Sequence, residues 1–441
     1  MNNIFRNILN KISNNYDLKV ILRVSLMALV AIVLIEMIGN FYRSANTKYF
    51  IENKSNEKFS IIFNQSIISG FYNQLSSAPF NYLTPLEKNK SANSYRVFLI
   101  GEAALSGWPY SAEHALQNKL NRLLGHYLKN ENIEIMTISS AGFNTSQAVD
   151  IIPQLIELKP DLIILYAGHN EFYGYHGYST ISAQSKSYLF GFTQNLLNKI
   201  GLVNSIDYDK SVDDLDVLLP FNSDEQIITT SQSEYKKIRS QFQSNVDKII
   251  SICNKSKIQL AFTLLSDNYL LPPIGVINRN IDVSADIIYN NARMALKRDG
   301  NPSKAIQLFK KSKDADAFRL RIPEDFIQYL KEASIINNLS IADVNTEFIK
   351  NCPNGIPGDD LFLDYIHPNA NGLNIIASVY AKLILENFID KTNSMTEPNS
   401  IICNDLISKE DSLLVKERIG KSLTLLKKFD NTQYLNAATM K

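Results

Sequence analysis

The sequence predicts an α/β fold, a three-layer domain with a parallel sheet and helices on both faces, preceded by one N-terminal transmembrane helix. Strand-length apolar runs alternate with helical apolar spacing from Tyr95 onward, which predicts parallel strands joined by helices. Residues 162–167 are continuously apolar, as is typical of a strand buried on both faces. Residues 24–41 are almost wholly apolar, and with residues 20–22 they are long enough to cross a bilayer.

The composition of the 441-residue chain excludes several classes of protein. Its 45% hydrophobic content can fill a sizeable core, so disorder is not expected. Lys and Arg total 45 against 44 Asp and Glu, and the formal net charge of +1 gives no electrostatic basis for a nucleic-acid partner. Cys253, Cys352 and Cys403 lie far apart without a C-x-x-C pair, which argues against zinc and a dense disulfide framework but leaves one bridge open.

The N-terminal run favours an uncleaved anchor over residues 20–42. Arg23 and Glu36 lie near its two ends, where both side chains can reach a membrane interface. A cleavable signal peptide is the rival interpretation, but residues 42–48 show no clear A-x-A-like site. Basic residues dominate residues 1–19, so the positive-inside rule keeps them cytoplasmic. We therefore expect a single-pass protein of the cytoplasmic membrane whose main domain is periplasmic or extracellular.

The rest of the pattern predicts the elements in order. Residues 43–94 lack strong periodicity and are interpreted as a connecting segment packed on the domain, which spans 95–390. The predicted strands are 96–100, 133–138, 162–167, 259–265 and a region within 335–344, and the predicted helices are 112–128, 147–158, 234–254 and 371–388.

Three further segments complete the organisation of the chain. Residues 174–231 are rich in Ser, Asn, Tyr and Asp and predict an inserted lid or side lobe. Residues 284–313 predict a helical hairpin that turns at residues 300–302, a Gly-Asn-Pro sequence. The tail, 391–441, is polar with one helical stretch around 413–429.

Four short segments lie at the carboxyl ends of predicted strands or just beyond them. Open α/β sheets place their binding crevice at these strand ends. They are residues 101–107, 140–145, 168–171 and 364–368. A carboxylate at Asp364 can hold His367 in one tautomer as a general base, although a helix-capping histidine explains this spacing about as well. Asn170 offers an amide that can stabilise an oxyanion with backbone N–H groups around Gly142, although a lone Asn here usually reflects turn chemistry.

In this order the four segments resemble the signature blocks of the SGNH (GDSL-like) hydrolases, which carry Ser, Gly, Asn and His in successive blocks. The resemblance spans about 95–385 and implies an SGNH or flavodoxin-like sheet. It is closest to a bacterial membrane-anchored branch with a TPR-like helical hairpin, whose Tyr-Ala-Gly-His-Asn-Glu-Phe-Tyr-Gly run is reproduced in full at residues 166–174. Residues 316–321 after the hairpin, and 356–358 ahead of 361–362, are also similar to that branch.

The resemblance implies roles for particular residues. His367 would be the base, Asp364 its orienter and Asn170 an oxyanion-hole donor. Gly142 would supply a backbone N–H to the same hole, or Asn144 would take this place if the alignment shifts by two residues. Further candidates for substrate binding are Glu102, His169, Glu171, Arg319 and Arg321.

Some of these side chains also have ordinary structural interpretations. Arg319 and Arg321 can face one anionic group, but structural salt bridges explain them at least as well. Trp108 and Tyr110 can line the mouth of a site, although aromatic residues at the start of a helix more often pack. No phosphate loop or metal-ligand cluster is visible, and the family chemistry needs no cofactor and no metal.

Ala103 stands where this branch has its nucleophilic serine, and a methyl group cannot attack a carbonyl. An engineered serine-to-alanine knockout explains it, and so does a natural pseudoenzyme that uses the crevice for binding. A displaced nucleophile at Ser106 is the third explanation, although its side chain would face another side of the turn. The expected parent is an esterase or acyltransferase acting on an acylated small molecule or surface glycan. The alternative is a non-catalytic binding or assembly component with cell-envelope protein partners.

Overall fold

The computed structural model describes residues 18–46, 50–55, 58–63, 86–87, 89–91, 93–128, 132–140, 142–174, 228, 230–276, 284–392 and 407–427. The chain divides into two units, Met1–Thr47 with Ala183–Ile206, and Lys48–Ser182 with Asp207–Lys441. The predicted insertion at 174–231 lies almost wholly outside the described residues.

The first unit contributes helix α1 (Leu18–Asn46), which is 29 residues long. Several of its large apolar side chains are exposed, among them Val24 at 61%, Met27 at 71% and Ile38 at 66%. Among the described residues, no helix combines the length and the apolarity needed to cross a membrane.

The second unit begins with a small antiparallel sheet in the order β1-β2-β3. Its strands are β1 (Phe50–Ser55), β2 (Lys58–Phe63) and β3 (Leu86–Glu87). The sequence pattern missed these strands inside the predicted connecting segment. The physical reason is visible in β2, where Ile61 and Ile62 are both apolar and break the alternation that marks a strand with one buried face.

The main sheet has five strands in the order β5-β4-β6-β7-β8, and all of its neighbouring pairs are parallel. These strands are β4 (Ser94–Glu102), β5 (Asn132–Ser140), β6 (Leu162–Tyr166), β7 (Gln259–Thr263) and β8 (Ser340–Ala342). Every predicted strand overlaps one of them. The region 335–344 begins too early, because residues 335 and 336 end a helix.

The helices of this unit confirm the alternation of strands and helices. They are α2 (Leu116–Tyr127), α3 (Thr145–Leu155), α4 (Ser233–Lys255), α5 (Ala285–Lys297), α6 (Pro302–Ala315), α7 (Glu324–Ile336), α8 (Val344–Asn351), α9 (Ala370–Thr392) and α10 (Lys409–Lys427). Helices α5 and α6 form the predicted hairpin, packed through Tyr289 and Phe309, whereas α7 and α8 were not predicted.

The sheet is covered on both of its faces. Successive residues of a strand point to opposite faces, and Val97, Phe98, Leu99 and Ile100 of β4 are all fully buried. Helix α9 contacts α2 and α8 in one group, and helix α4 contacts α3 and α7 in another. Both groups also contact the sheet. An all-parallel sheet covered by helices is the α/β fold that the sequence predicts.

Candidate active site

The carboxyl ends of three neighbouring strands place three of the predicted segments side by side. In the register of the sheet, Glu102 of β4 lies opposite Ser140 of β5, and Gly101 lies opposite Tyr166 of β6. Gly101 permits a close approach here, since a Cβ on it would lie 2.0 Å from the carbonyl oxygen of Tyr166. The segments that follow these strands therefore start at one edge of the sheet, where α/β proteins form their crevice.

His367 and Asp364 form an oriented pair beside this edge. The Nδ1 atom of His367 lies 2.8 Å from Oδ2 of Asp364. The other carboxylate oxygen, Oδ1, accepts hydrogen bonds from the backbone N–H groups of Ile366 at 2.9 Å and His367 at 2.8 Å. Because Asp364 accepts from Nδ1–H, the basic nitrogen of the ring is Nε2.

The environment of Asp364 keeps its carboxylate ionised. Burial opposes its ionisation, but the charge of His367 and the hydrogen bonds from His367 and Ile366 outweigh burial. They hold the pKa of Asp364 below its ordinary value. A permanently charged, buried partner is what a histidine needs if it is to act as a base and carry a transient positive charge.

Ala103 begins the 3-10 turn Ala103–Ser106 that follows β4, and its side chain is buried. It belongs to an apolar cluster whose other buried members are Trp108, Tyr110, Leu373, Val415 and Ile419. The ring of Trp108 meets the ring of His367 edge-on, with 4.2 Å between centroids. Trp108 therefore contacts His367, the predicted base, and belongs to the cluster around Ala103.

Ser106 is engaged inside its own turn. Its hydroxyl donates to the carbonyl oxygen of Ala103 at 2.8 Å, and the residue is only 2% exposed. This geometry argues against Ser106 as a displaced nucleophile.

The candidates for the oxyanion hole lie together, joined by hydrogen bonds. The amide nitrogen of Asn170 donates to the carbonyl of Phe143 at 3.2 Å. Asn144 caps helix α3, since its Oδ1 accepts from the N–H groups of Ser146 at 3.1 Å and Gln147 at 3.3 Å. Its Nδ2 donates to the carbonyl of Asn170 at 3.4 Å. The second and third segments are thereby linked, and Asn144 is used as a helix cap.

Gly142 also lies in this second segment. It has φ of +65°, a left-handed conformation that suits glycine. Its role in an oxyanion hole, like that of Asn170, stays a prediction.

Three of the substrate-binding candidates are buried and hydrogen-bonded within the protein: Glu102, His169 and Glu171. Oε1 of Glu102 accepts from the N–H groups of Gly168 and His169, each at 2.8 Å. The carboxylate of Glu171 accepts from the N–H and hydroxyl of Thr145 at 2.9 and 2.8 Å, and Nδ1 of His169 accepts from the N–H of Ile322 at 3.2 Å.

Burial dominates the ionisation of these three side chains. It raises the pKa of Glu102 to about 8 and that of Glu171 to about 7, and it lowers the pKa of His169 to about 3. Their contacts favour a role in holding the strand-end segments together rather than in binding a substrate.

The guanidinium groups of Arg319 and Arg321 are also bonded inside the protein. Arg319 donates to the carbonyls of Ile228 at 2.8 Å and Asp314 at 2.6 Å. Arg321 donates to Asp316 Oδ2 at 3.2 Å and to the carbonyl of Asn268 at 3.1 Å. Both residues are buried. The structure therefore favours the structural interpretation of both arginines over a shared anion site.

Sequence reasoning missed the segment after β7. The backbone N–H of Asn268 donates to the carbonyl of Tyr365 at 3.0 Å, which attaches the loop of His367 to this strand end. Asp267 forms a fully buried ion pair with Lys313, with 2.9 Å from Oδ2 to Nζ. A signal was available, because polar residues 266–268 follow an apolar strand just as residues 168–171 do.

Comparisons with known proteins give structural similarity without a family assignment. No family model matches the sequence, and no curated protein matches it. A GDSL-like lipase from Bacteroides thetaiotaomicron is similar at 12% identity and a TM-score of 0.33, with 70% of this chain and 93% of the lipase covered.

Two esterases are similar to the same degree. A psychrotrophic esterase from a Pseudoalteromonas species shows 11% identity and a TM-score of 0.32, covering 68% of this chain and 99% of the esterase. An acetyl-xylooligosaccharide esterase from Geobacillus, a tryptophan-to-isoleucine mutant, shows 12% identity and a TM-score of 0.35, covering 71% and 100%. No activity of this chain follows from likenesses of this strength.

Proposed function

We propose that this chain has an SGNH-type site that binds an acyl ester. With Ala103 at the position of the nucleophile, it binds the ester without forming an acyl-enzyme. The observation that carries the proposal is the 2.8 Å contact between His367 Nδ1 and the buried carboxylate of Asp364. This pair has the geometry of a general base, although a methyl group stands at the position where the nucleophile is expected. The expected ligand is an acylated small molecule or an acylated surface glycan.

In a serine form of the domain the chemistry would proceed without a cofactor. The Oγ–H bond of a serine at position 103 breaks as its proton passes to Nε2 of His367, and Oγ bonds to the ester carbonyl carbon. The amide of Asn170 and backbone N–H groups stabilise the oxyanion. When the intermediate collapses, the bond to the leaving alcohol breaks and the alcohol takes the proton from Nε2. Water or an acceptor hydroxyl then removes the acyl group by the same route.

The test is Ala103→Ser, assayed with a short-chain ester. Because the base and its orienter are in place, we expect hydrolysis at least about 100-fold above the parent chain. His367→Ala in the same background should remove the gain. The assay is repeated with Ile419→Asp added, which disrupts the apolar packing of α10 in the cluster around residue 103. Folded Ala103→Ser variants without activity in either background would contradict an enzyme scaffold.

The alternative is a non-catalytic binding or assembly component of a cell-envelope complex. Ala103 itself favours it, because a binding protein needs no nucleophile. The same variants separate the two functions, since a folded but inactive Ala103→Ser chain is what this alternative predicts.

We also propose that α1 anchors the chain in the cytoplasmic membrane, with the main domain outside. The apolar run 24–41 and the exposed side chains of Val24, Met27 and Ile38 support this. After alkaline carbonate extraction of cells, we expect the intact chain in the membrane pellet. Two charges in the run, Val30→Arg with Leu34→Arg, should release it, whereas Leu413→Arg at an exposed position of α10 should not. Release of the unaltered chain by carbonate would contradict the anchor.

A further inference from the structure

Helix α10 presents one side to the segment that follows Ala103. Among its described side chains, the buried ones are those of Asp411, Val415 and Ile419, which recur every four positions and therefore share one helix face. Leu413, on another face, is 68% exposed. This helix therefore packs through one side. It follows the closing helix α9 in the chain and lies beyond the last strand of the main sheet.

Two polar groups fix α10 to residues 109–114. The carboxylate of Asp411 accepts from the N–H of Ser111 at 3.0 Å and lies 3.1 Å from Nε2 of His114. Both side chains of the Asp411 and His114 pair are below 10% exposed, at 7% and 8%. About two turns further along the helix, Arg418 donates to the carbonyls of Pro109 at 2.9 Å and Tyr110 at 3.1 Å. These contacts hold the helix at a defined position along the segment.

Beside these polar contacts, α10 contributes two apolar side chains to the cluster around position 103. Val415 and Ile419 are buried together with Ala103 and Trp108. The side chain of Ala103 is left only 6% exposed. Protein interiors are close-packed, so an ester carbonyl with its substituents cannot be placed against residue 103 while this packing persists.

We infer that α10 is a C-terminal strap that occludes position 103, and that an ester reaches this position only when the strap lifts from residues 108–114. The inference rests on the proposed function for the identity of position 103 as the nucleophile site. The occlusion itself is a property of packing. A single helix that packs through one face can detach at a lower free energy than the core strands, so access does not require unfolding of the sheet.

The strap is tested by the reactivity of a thiol placed at the position, with Ala103→Cys. Alkylation by iodoacetamide under native conditions is followed by mass spectrometry of the peptide that contains residue 103. We expect slow alkylation in the otherwise unaltered chain and a rise of at least about 10-fold when Ile419→Asp is added, because a charge in the apolar cluster expels the helix. Leu413→Asp places the same charge on an exposed face of the same helix and should leave the rate unchanged.

A milder pair of changes covers the case in which Ile419→Asp lowers the melting temperature of the whole domain. Asp411→Ala with Arg418→Ala removes the polar contacts with Ser111, His114 and the carbonyls of residues 109 and 110, keeps the apolar cluster, and should also accelerate alkylation. Equal rates in all folded variants would overturn the strap. Alkylation needs no esterase activity, so the two proposals can fail separately. If Ile419→Asp accelerates labelling but Ala103→Ser is inactive both with and without Ile419→Asp, the proposed function is overturned and the strap stands.

Discussion

In the Ala103→Ser chain, Asp364→Asn is expected to lower kcat for a short-chain ester by up to about 10⁴-fold, toward the background of the parent chain. The substituted side chain keeps an oxygen that can accept from the N–H groups of Ile366 and His367. The other atom becomes an amide that donates toward Nδ1 of His367, so the ring takes the tautomer with its proton on Nε2. A ring in that tautomer cannot accept the proton of a serine.

This loss of kcat would distinguish a role of His367 as an oriented base from a role as a helix cap. Asp247→Asn is the matched control, because its carboxylate accepts from the Tyr329 hydroxyl at 2.7 Å at an exposed place on α4. That variant should keep the kcat of the Ala103→Ser chain. Equal activity of the Asp364→Asn and Asp247→Asn variants, with melting temperatures unchanged, would show that Asp364 does not orient a catalytic base.

Glu102→Gln is expected to stabilise the protein at alkaline pH relative to the unaltered chain. Burial raises the pKa of Glu102 from 4.5 to about 8 in the folded protein. Between these values the unfolded chain has released the proton that the folded chain still binds. The free energy of unfolding therefore falls as pH rises through this window, by on the order of 3–5 kcal/mol when complete. A neutral glutamine keeps an oxygen for the N–H groups of Gly168 and His169 and removes this dependence.

The measurement is urea unfolding at pH 5, 6, 7 and 8. The difference in stability between Glu102→Gln and the unaltered chain should grow with pH, and curves that stay parallel would contradict it. Glu171 has a pKa raised in the same direction, to about 7, so the variant keeps part of the pH dependence. Glu157→Gln at an exposed position of the turn after α3 should reproduce the unaltered curve.

The predicted strands, and most of the helices, depended on the spacing of apolar residues along the chain. The apolar signal for a strand is clear where the strand is buried on both faces, as in β6. It is weak in the short strands β1 to β3. Helix α7 was missed because no element was predicted for the residues where it begins, and α8 was missed because it begins at Val344, inside the predicted region of the last strand. The sequence placed Lys313 in the hairpin and did not predict its ion pair with Asp267. The two residues are 46 positions apart, so no local pattern connects them.

The residues of the candidate site also fall into two groups: those that sequence motifs identified, and those whose contacts the sequence did not reveal. His367, Asp364 and Asn170 were found from motifs, because each segment follows a strand or precedes a helix in a recognisable order. Motifs did not reveal the structural contacts of Glu102, His169, Glu171, Arg319 and Arg321. Partners such as the backbone N–H of Ile322, bonded to His169, and the carbonyl of Ile228, bonded to Arg319, lie far away in the sequence. All five residues are buried, and burial is decided by the whole fold.

The sequence by itself determined the α/β alternation, the order of the four segments and the alanine at position 103, since each is a local pattern of residue types. Only the tertiary structure decided what covers Ala103. The tail carries a helical pattern, but a pattern specifies an apolar face without specifying its partner. Packing of Val415 and Ile419 against a segment about 300 positions earlier, with Asp411 bonded to Ser111 across that separation, is a long-range choice made by burial and hydrogen bonding together.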